Sequence, residues 1–222
     1  MAVRNLERRR EILSSAFRLI EGATYDKVSL SDIAKGAGIN KSLLQRYYPQ
    51  KIDLIKEMLT TLLETSFGYM DRVPGGEEDL FQKISNCNML FFAGVAADER
   101  MYRFILSTVG SSEILDVWID TICGWLHRYA GAADLRMLDL RCALCFAMGG
   151  TMHLFQHQEE LGIDYRFFCE KHIRAILSFL GYRGEKIEAI CAETAAWMND
   201  ADVRRFTAYC QETISWIPDG TA

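Results

Sequence analysis

The stretch from Ser29 to Asp53, SLSDIAKGAGINKSLLQRYYPQKID, leaves the chain few conformational choices. Ser29 followed three residues later by Asp32 is a helix-capping pattern, and Leu30, Ile33, Ala34 and Ala37 then fall on one helical face. Gly36 and Gly38 supply the backbone freedom for a sharp turn, and Ile39 plugs its corner. Asn40 can cap a second short helix running from Lys41 to Tyr48. Pro49 ends that helix and Lys51 opens the next. Two short helices joined by so tight a turn, with a third following at once, are a helix-turn-helix unit.

The second helix divides in a way that suits a DNA major groove. Leu44 and Tyr48, four residues apart, can pack inward, while Lys41, Ser42, Gln45 and Arg46 are left outward and polar. Gln pairs bidentately with adenine, Lys reaches guanine acceptors and Ser bonds several base edges, so Gln45 and Lys41 are the first candidates for reading bases. A cation at a helix N-terminus is opposed by the helix dipole unless an anion lies there, and for Lys51 a DNA phosphate would be that anion. The competing reading is an ordinary helical hairpin with a solvated basic face.

At these residues the sequence resembles the TetR family of transcriptional regulators. Asp32, Ile33 and Ala34, then Ala37, Gly38 and Ile39, then Leu44, Tyr47, Tyr48, Lys51 and Leu54 stand at matching positions. The resemblance implies that Tyr47 and Lys51 grip phosphates while Lys41, Ser42 and Gln45 face base pairs. It departs at Ser42, where Gly is frequent, at Leu43, where a phosphate-binding Thr is usual, and at Gln45, where Tyr is usual. Leu43 can instead touch a thymine methyl group. Ser29 and Arg46 complete the set of candidate DNA-contacting residues.

Charge is divided in the same sense. The net charge of −5 over 222 residues hides a basic start: residues 1 to 60 hold eleven Lys and Arg against seven Asp and Glu, and the other 162 hold fourteen against 23. A basic module on an acidic body confines nonspecific DNA contact to one end. Arg4, Arg8, Arg9 and Arg10 are either an arm reaching phosphate or minor groove, or a solvated helix start. Half the residues are hydrophobic, ample for a core. The uncharged apolar run from Cys142 to Phe155 is fourteen residues, too short to span a bilayer. No signal peptide is visible in MAVRNLERRR, so the protein is expected in the cytoplasm. Seven cysteines without a secreted spacing fit reduced thiols in the core, with no structural disulfide.

Periodicity predicts an all-α chain. A first helix over Asn5 to Gly22 carries the stripe Ile12, Leu13, Ala16, Phe17 and Ile20, with Tyr25 and Val28 covering the small core it makes. A long helix from Lys51 keeps an apolar face to Met70, until Val73, Pro74, Gly75 and Gly76 break it. Further helices follow over Glu78 to Ala97, Asp98 to Val109, Ser111 to Tyr129, Asp134 to Leu161 and Asp164 to Leu180. Glycines 110, 131, 162 and 181 punctuate them. The tail from Glu185 to Pro218 adds about two more, buried through Ile187, Ile190, Trp197, Phe206, Tyr209 and Trp216. Residues 1–50 are thus read as a three-helix DNA-binding domain, and residues 51–222 as a helical regulatory and dimerisation domain joined to it by the long helix. Family members usually dimerise through the helices that correspond to Asp134 to Leu161 and Asp164 to Leu180. There Gly149 and Gly150 permit close helix approach, between subunits or within one. A short recognition helix makes too few base contacts alone, so a homodimer is expected.

Catalysis lacks a candidate centre, because no nucleophile-elbow, Walker or dinucleotide glycine pattern occurs. Cys142 and Cys145 lie inside a predicted helix with no second pair at zinc spacing, and are expected in the core. His153 and His157, with Glu160 or Cys145, are either a metal-binding group or a plain histidine pair. No cofactor is expected. Aromatics and methionines crowd the central helices, and such residues suit an apolar ligand cavity as well as a core. The resemblance implies a cavity bounded partly by the long helix. Phe67, Met70, Phe91 and Tyr102 are candidates to line it, as are Trp125, Met148 and Met152. The function expected is a ligand-responsive repressor binding a palindromic operator as a homodimer, with a hydrophobic small-molecule effector. The alternative is a helical enzyme or adaptor that retains the module without using it on DNA.

Overall fold

The computed structural model describes residues 2–73, 79–130 and 136–217, and among them there is no β-strand. Pro74, Gly75, Gly76, Glu78, Gly131, Asp134 and Pro218 lie outside the described residues, as does the side chain of Arg4. The N-terminal head consists of α1 (Ala2–Gly22), α2 (Leu30–Gly36) and α3 (Lys41–Tyr47), and α4 (Lys51–Met70) leads out of it. The body consists of α5 (Leu80–Ala97), α6 (Glu99–Thr108), α7 (Ser112–Ala130), α8 (Met137–Gln156), α9 (Gln158–Leu161) and α10 (Tyr165–Phe179). The tail forms α11 (Gly184–Trp197) and α12 (Asp200–Thr213).

The first helix begins earlier than its apolar stripe does, so Arg8, Arg9 and Arg10 stand on a helix and not on an extended arm. Arg8 pairs with Glu11 at 2.6 Å. Arg9 pairs with Glu57 of α4 and lies 5.3 Å from the Tyr48 ring centroid. Ile12, Leu13, Ala16, Phe17 and Ile20 are all buried, but they serve two neighbours. Phe17 turns away from the turn unit, with its ring 5.2 Å from Phe104 of α6 and 5.5 Å from Trp216.

The tail therefore reaches the head. Trp216 is 2% exposed, and its carbonyl accepts from Ser14 Oγ at 2.9 Å. Arg100 of α6 adds a charged tie, its Nε 2.9 Å from Glu21 of α1. As a result the apolar core runs from head to body without interruption.

Within the body α8 and α10 pack along one another, and α4 packs chiefly on α7. The helix expected to run unbroken to Leu161 ends at Gln156; His157 sits at φ −110°, ψ 13°, and a separate turn of helix follows. His157 Nδ1 lies 3.0 Å from Glu160 there, with the His153 ring 4.6 Å away. Among the described residues no group of three or more His, Cys, Asp or Glu is placed to hold a metal ion. Among them, too, no helix is long and apolar enough to cross a membrane.

Cys142 and Cys145 are exposed, which corrects their placement in the core. The face of α8 that meets α10 is formed by Ala143, Leu144, Ala147, Met148 and Thr151, leaving positions 142, 145, 146, 149 and 150 outside. A Cβ at Gly149 or Gly150 would meet nothing within 4 Å, so the pair makes no close approach within this chain.

Candidate nucleic-acid interface and ligand cavity

The head is built from backbone hydrogen bonds that its sequence anticipates. Ser29 Oγ accepts from Asp32 N at 3.2 Å, and Ser29 N donates to Asp32 Oδ2 at 3.0 Å, closing a capping box. The bonds that Asp32 Oδ2 accepts from Ser29 Oγ, at 2.6 Å, and from Ser29 N hold its carboxyl below its ordinary range. At the other end of α2, Ile39 N donates to Ala34 O at 2.9 Å and Gly38 N to Lys35 O at 3.1 Å. This is a Schellman stop, which requires a left-handed residue, and Gly38 supplies it at φ +66°.

Gly36 is needed for another reason. A Cβ there would come within 2.3 Å of Ser15 Oγ, and Ser15 is buried and bonded to Ile33 O at 3.1 Å. Of the two glycines credited with freeing the turn, one turns the chain and the other lets α1 and α2 meet.

Asn40 Oδ1 accepts from Leu43 N at 2.8 Å and starts α3. Leu44 and Tyr48 are buried beneath it, at 0% and 1% exposure. Lys41, Ser42, Gln45 and Arg46 are exposed in a row on the far side. Among the described residues no side-chain hydrogen bond or ion pair ties down any of these four. Leu43 and Tyr47 are half-buried, and with Arg46 they border an open cleft completed by Asn5 and Arg9 of α1. Asn5 gave no signal in the sequence, because nothing in a helix start reports that the recognition helix lies alongside.

Beneath the row, Tyr48 Oη donates to Glu57 Oε2 at 3.0 Å. Burial, and after it the Glu57 carboxylate, push the Tyr48 phenol well above its ordinary range. This keeps the phenol a proton donor and fixes α3 on α4.

Lys51 is already occupied. Its Nζ donates to the carbonyls of Tyr25 at 2.6 Å and Val28 at 3.0 Å, and lies 4.0 Å from the Tyr25 ring centroid. The ammonium thus ties down the loop that presents the Ser29 cap.

A cavity of about 60 Å³ lies in the body, walled by α4, α5, α7, α8 and α10. Phe67, Phe91, Trp125, Met148 and Met152 line it. Met70 and Tyr102 are not in the wall: Tyr102 Oη accepts from Gln158 at 2.7 Å and its ring packs on Phe155, while Met70 is buried at the far end of α4. Trp118, one of the aromatics crowding the central helices, also lines it, as do Thr151 and His172, which gave no signal in the sequence. The Phe67 ring is stacked on Trp125, centroids 4.2 Å apart and planes 13° apart.

An exposed polar helix set on a buried anchor, entered through a Schellman turn, defines the class: a helix-turn-helix DNA-binding protein. The family described as "Bacterial regulatory proteins, tetR family" matches residues 12–58, from the buried stripe of α1 into the first turns of α4. Over the head and the first turns of α4 the chain therefore carries the DNA-binding module of TetR-family transcriptional regulators. It is 25% identical over 170 residues to the HTH-type transcriptional regulator EthR of Mycolicibacterium smegmatis, covering 71% of this chain and 78% of that protein. The structure of RolR in complex with resorcinol is similar in fold, with a TM-score of 0.59 at 15% identity, covering 86% of this chain and 96% of that one. So is FadR from Bacillus subtilis in complex with stearoyl-CoA, with a TM-score of 0.51 at 16% identity, covering 76% and 97%.

Proposed function

We propose that the chain is a ligand-responsive repressor that binds a palindromic operator as a homodimer, with residues 1–50 reading DNA and residues 51–222 regulating and dimerising. The observation that carries the reading is the row Lys41, Ser42, Gln45 and Arg46, exposed above the buried Leu44 and Tyr48 and without a side-chain hydrogen bond or ion pair among the described residues. Gln45 and Lys41 face bases in this proposal. Ser42 faces bases beside them and Leu43 sits at the groove edge, while Ser29, Arg46 and Tyr47 lie toward the phosphates, as does Lys51 through the one N–H that the Tyr25 and Val28 carbonyls leave over.

Support for the dimer comes from α8 and α10. Phe146 is 69% exposed and Phe179 50%, their rings 6.0 Å apart, beside the uncovered Gly149 and Gly150. An apolar patch with a glycine floor fits a second copy, whose twofold axis sets two recognition helices about one DNA turn apart, roughly 34 to 36 Å, or more in a wide dimer. Support for ligand control comes from the cavity and from Phe67, which lies on the same helix as Lys51. A tilt of α4 that moves Phe67 also moves the head, and couplings of about 1 to 3 kcal/mol change affinity roughly 5- to 150-fold. Two similar folds hold small molecules, resorcinol in one and stearoyl-CoA in the other.

The test combines light scattering with a DNA-shift assay on a duplex selected from genomic fragments. A dimer that shifts the duplex, and a Phe146→Glu variant that becomes monomeric and loses the shift, are the expected results. A chain that is monomeric at micromolar concentration and shifts no selected duplex overturns the reading in favour of a helical protein that carries the module without using it.

A further inference from the structure

The chemistry of the cavity wall defines what it can hold, given the proposed role of the cavity as the effector site. No Asp, Glu, Lys or Arg lines it. Burial pushes the Cys87 thiol in its wall up to about 12 and the His172 imidazole down to about 4, so both are neutral at pH 7. A charged group brought inside would lose its hydration, and the nearby Lys83 ammonium, 5.8 Å from the Trp125 ring centroid, is already paired with Asp71 at 2.5 Å.

The polar wall atoms are mostly committed. Ser66 Oγ donates to Leu62 O and Thr151 Oγ1 to Ala147 O, each at 2.8 Å, so both hydroxyl protons go back to their own helices. Thr151 Oγ1 also lies 2.8 Å from His172 Nδ1. With the Thr151 proton used, Nδ1 must be the donor of that bond, which leaves Nε2 of the neutral ring with a lone pair. On the facing helix α7, Trp118 Nε1 is buried and has no hydrogen-bond partner among the described residues. Trp118 Nε1 thus offers a donor and His172 Nε2 an acceptor, both on uncharged rings, and the neutral Asn88 amide also lines the cavity.

We propose that the cavity takes an uncharged aromatic molecule of about one ring bearing a hydroxyl, its oxygen accepting from Trp118 Nε1–H and its proton directed to His172 Nε2. Size sharpens the mechanism. A dry cavity known to admit benzene measures roughly 150 Å³, larger than the about 60 Å³ present here. The ring enters only if the wall yields, and the movable parts are Met148, Met152 and the Phe67 face of the Phe67–Trp125 stack. Displacing Phe67 displaces α4, so a ligand this small can act on the head.

The test uses the full chain and three probes of one shape, 4-ethylphenol, ethylbenzene and 4-ethylbenzoate, followed by calorimetry and tryptophan fluorescence at pH 7. The phenol is expected to bind at least about tenfold more tightly than the hydrocarbon, and the carboxylate not to saturate at the same concentrations. Trp118→Phe keeps a ring and removes the donor, so it is expected to erase most of that preference. Met148→Trp fills the void and is expected to abolish binding of all probes, which locates the site independently of Trp118. Equal binding of phenol and hydrocarbon, tighter binding of the carboxylate, no saturation by any probe, or unchanged binding to Met148→Trp overturns the assignment. Selected operator DNA separates this from the effector reading. If 4-ethylphenol binds but leaves DNA affinity unchanged, ligand control fails and the cavity chemistry stands; if only the carboxylate releases DNA, the reverse holds.

Discussion

The head and the body of this chain use glycine, hydrogen bonds and apolar surface for opposite ends. In the head the caps and the turn are local: Ser29, Gly38 and Asn40 each act on residues within five positions in sequence, and together they fix one exposed helix in one orientation. In the body the consequential features join distant positions. Phe67 meets Trp125, Thr151 meets His172, and Trp216 returns to Phe17. A surface read by DNA must be rigid before the partner arrives, whereas a cavity must yield to be filled. The two regions nonetheless share one core, so they are not mechanically separate.

The largest effect expected concerns that shared core. Trp216→Ala removes a fully buried indole between Phe17 and Phe104 and is expected to cost about 3 to 5 kcal/mol in denaturant unfolding, lowering head and body together in one transition. A loss below about 1 kcal/mol would show that the tail only rests on the head, and the contrast would become one between independent units.

Next comes pH. The His172 ring is driven by burial from its ordinary 6.5 to about 4 in the folded chain, so the unfolded chain binds the extra proton between those values. The contribution of the neutral ring is complete above pH 6.5 and is lost as pH falls toward 4, about 3 kcal/mol in all. Comparing unfolding of the wild type and His172→Asn across that window checks it. The wild type is expected to fall more steeply, and parallel curves would contradict a buried neutral ring.

Gly36→Ala disturbs a contact within the head. Its methyl group meets Ser15 Oγ, so Ser15 must leave Ile33 O or the helices must part, at about 1 to 3 kcal/mol. Thermal melting monitored at Trp118 and Trp125 beside DNA binding tests this, with both expected to be lost together at a lower temperature than in the wild type. An unchanged melt would mean that α1 and α2 have slack.

How far each region was legible follows from the same contrast. Caps, turn and recognition row were readable because each rests on side chains three to five residues apart, and the apolar stripes of the longer helices were readable from their period. Cys142 and Cys145 were misplaced because apolar character marks a partner surface as readily as a core, and α8 carries both. The end of that helix at Gln156 has no proline or glycine to announce it. Met70 and Tyr102 looked like cavity residues by type alone, while Thr151 and His172, which shape its polarity, resemble any buried polar pair until they are seen 2.8 Å apart. The engagement of Lys51 with Tyr25 and Val28 spans a loop whose path the sequence does not encode locally.

The central claim is that α3 reads bases while its surroundings hold phosphate. Fluorescence anisotropy of a selected operator duplex and a single-base variant, titrated with wild type, Gln45→Ala and Lys51→Ala over a range of salt, tests it most directly. Gln45→Ala is expected to lose about 1 to 3 kcal/mol of discrimination between the duplexes with its salt slope unchanged, and Lys51→Ala to weaken binding to both with a slope smaller by about one. Wild-type discrimination by Gln45→Ala, together with an unchanged slope for Lys51→Ala, would contradict the assignment of this face to DNA.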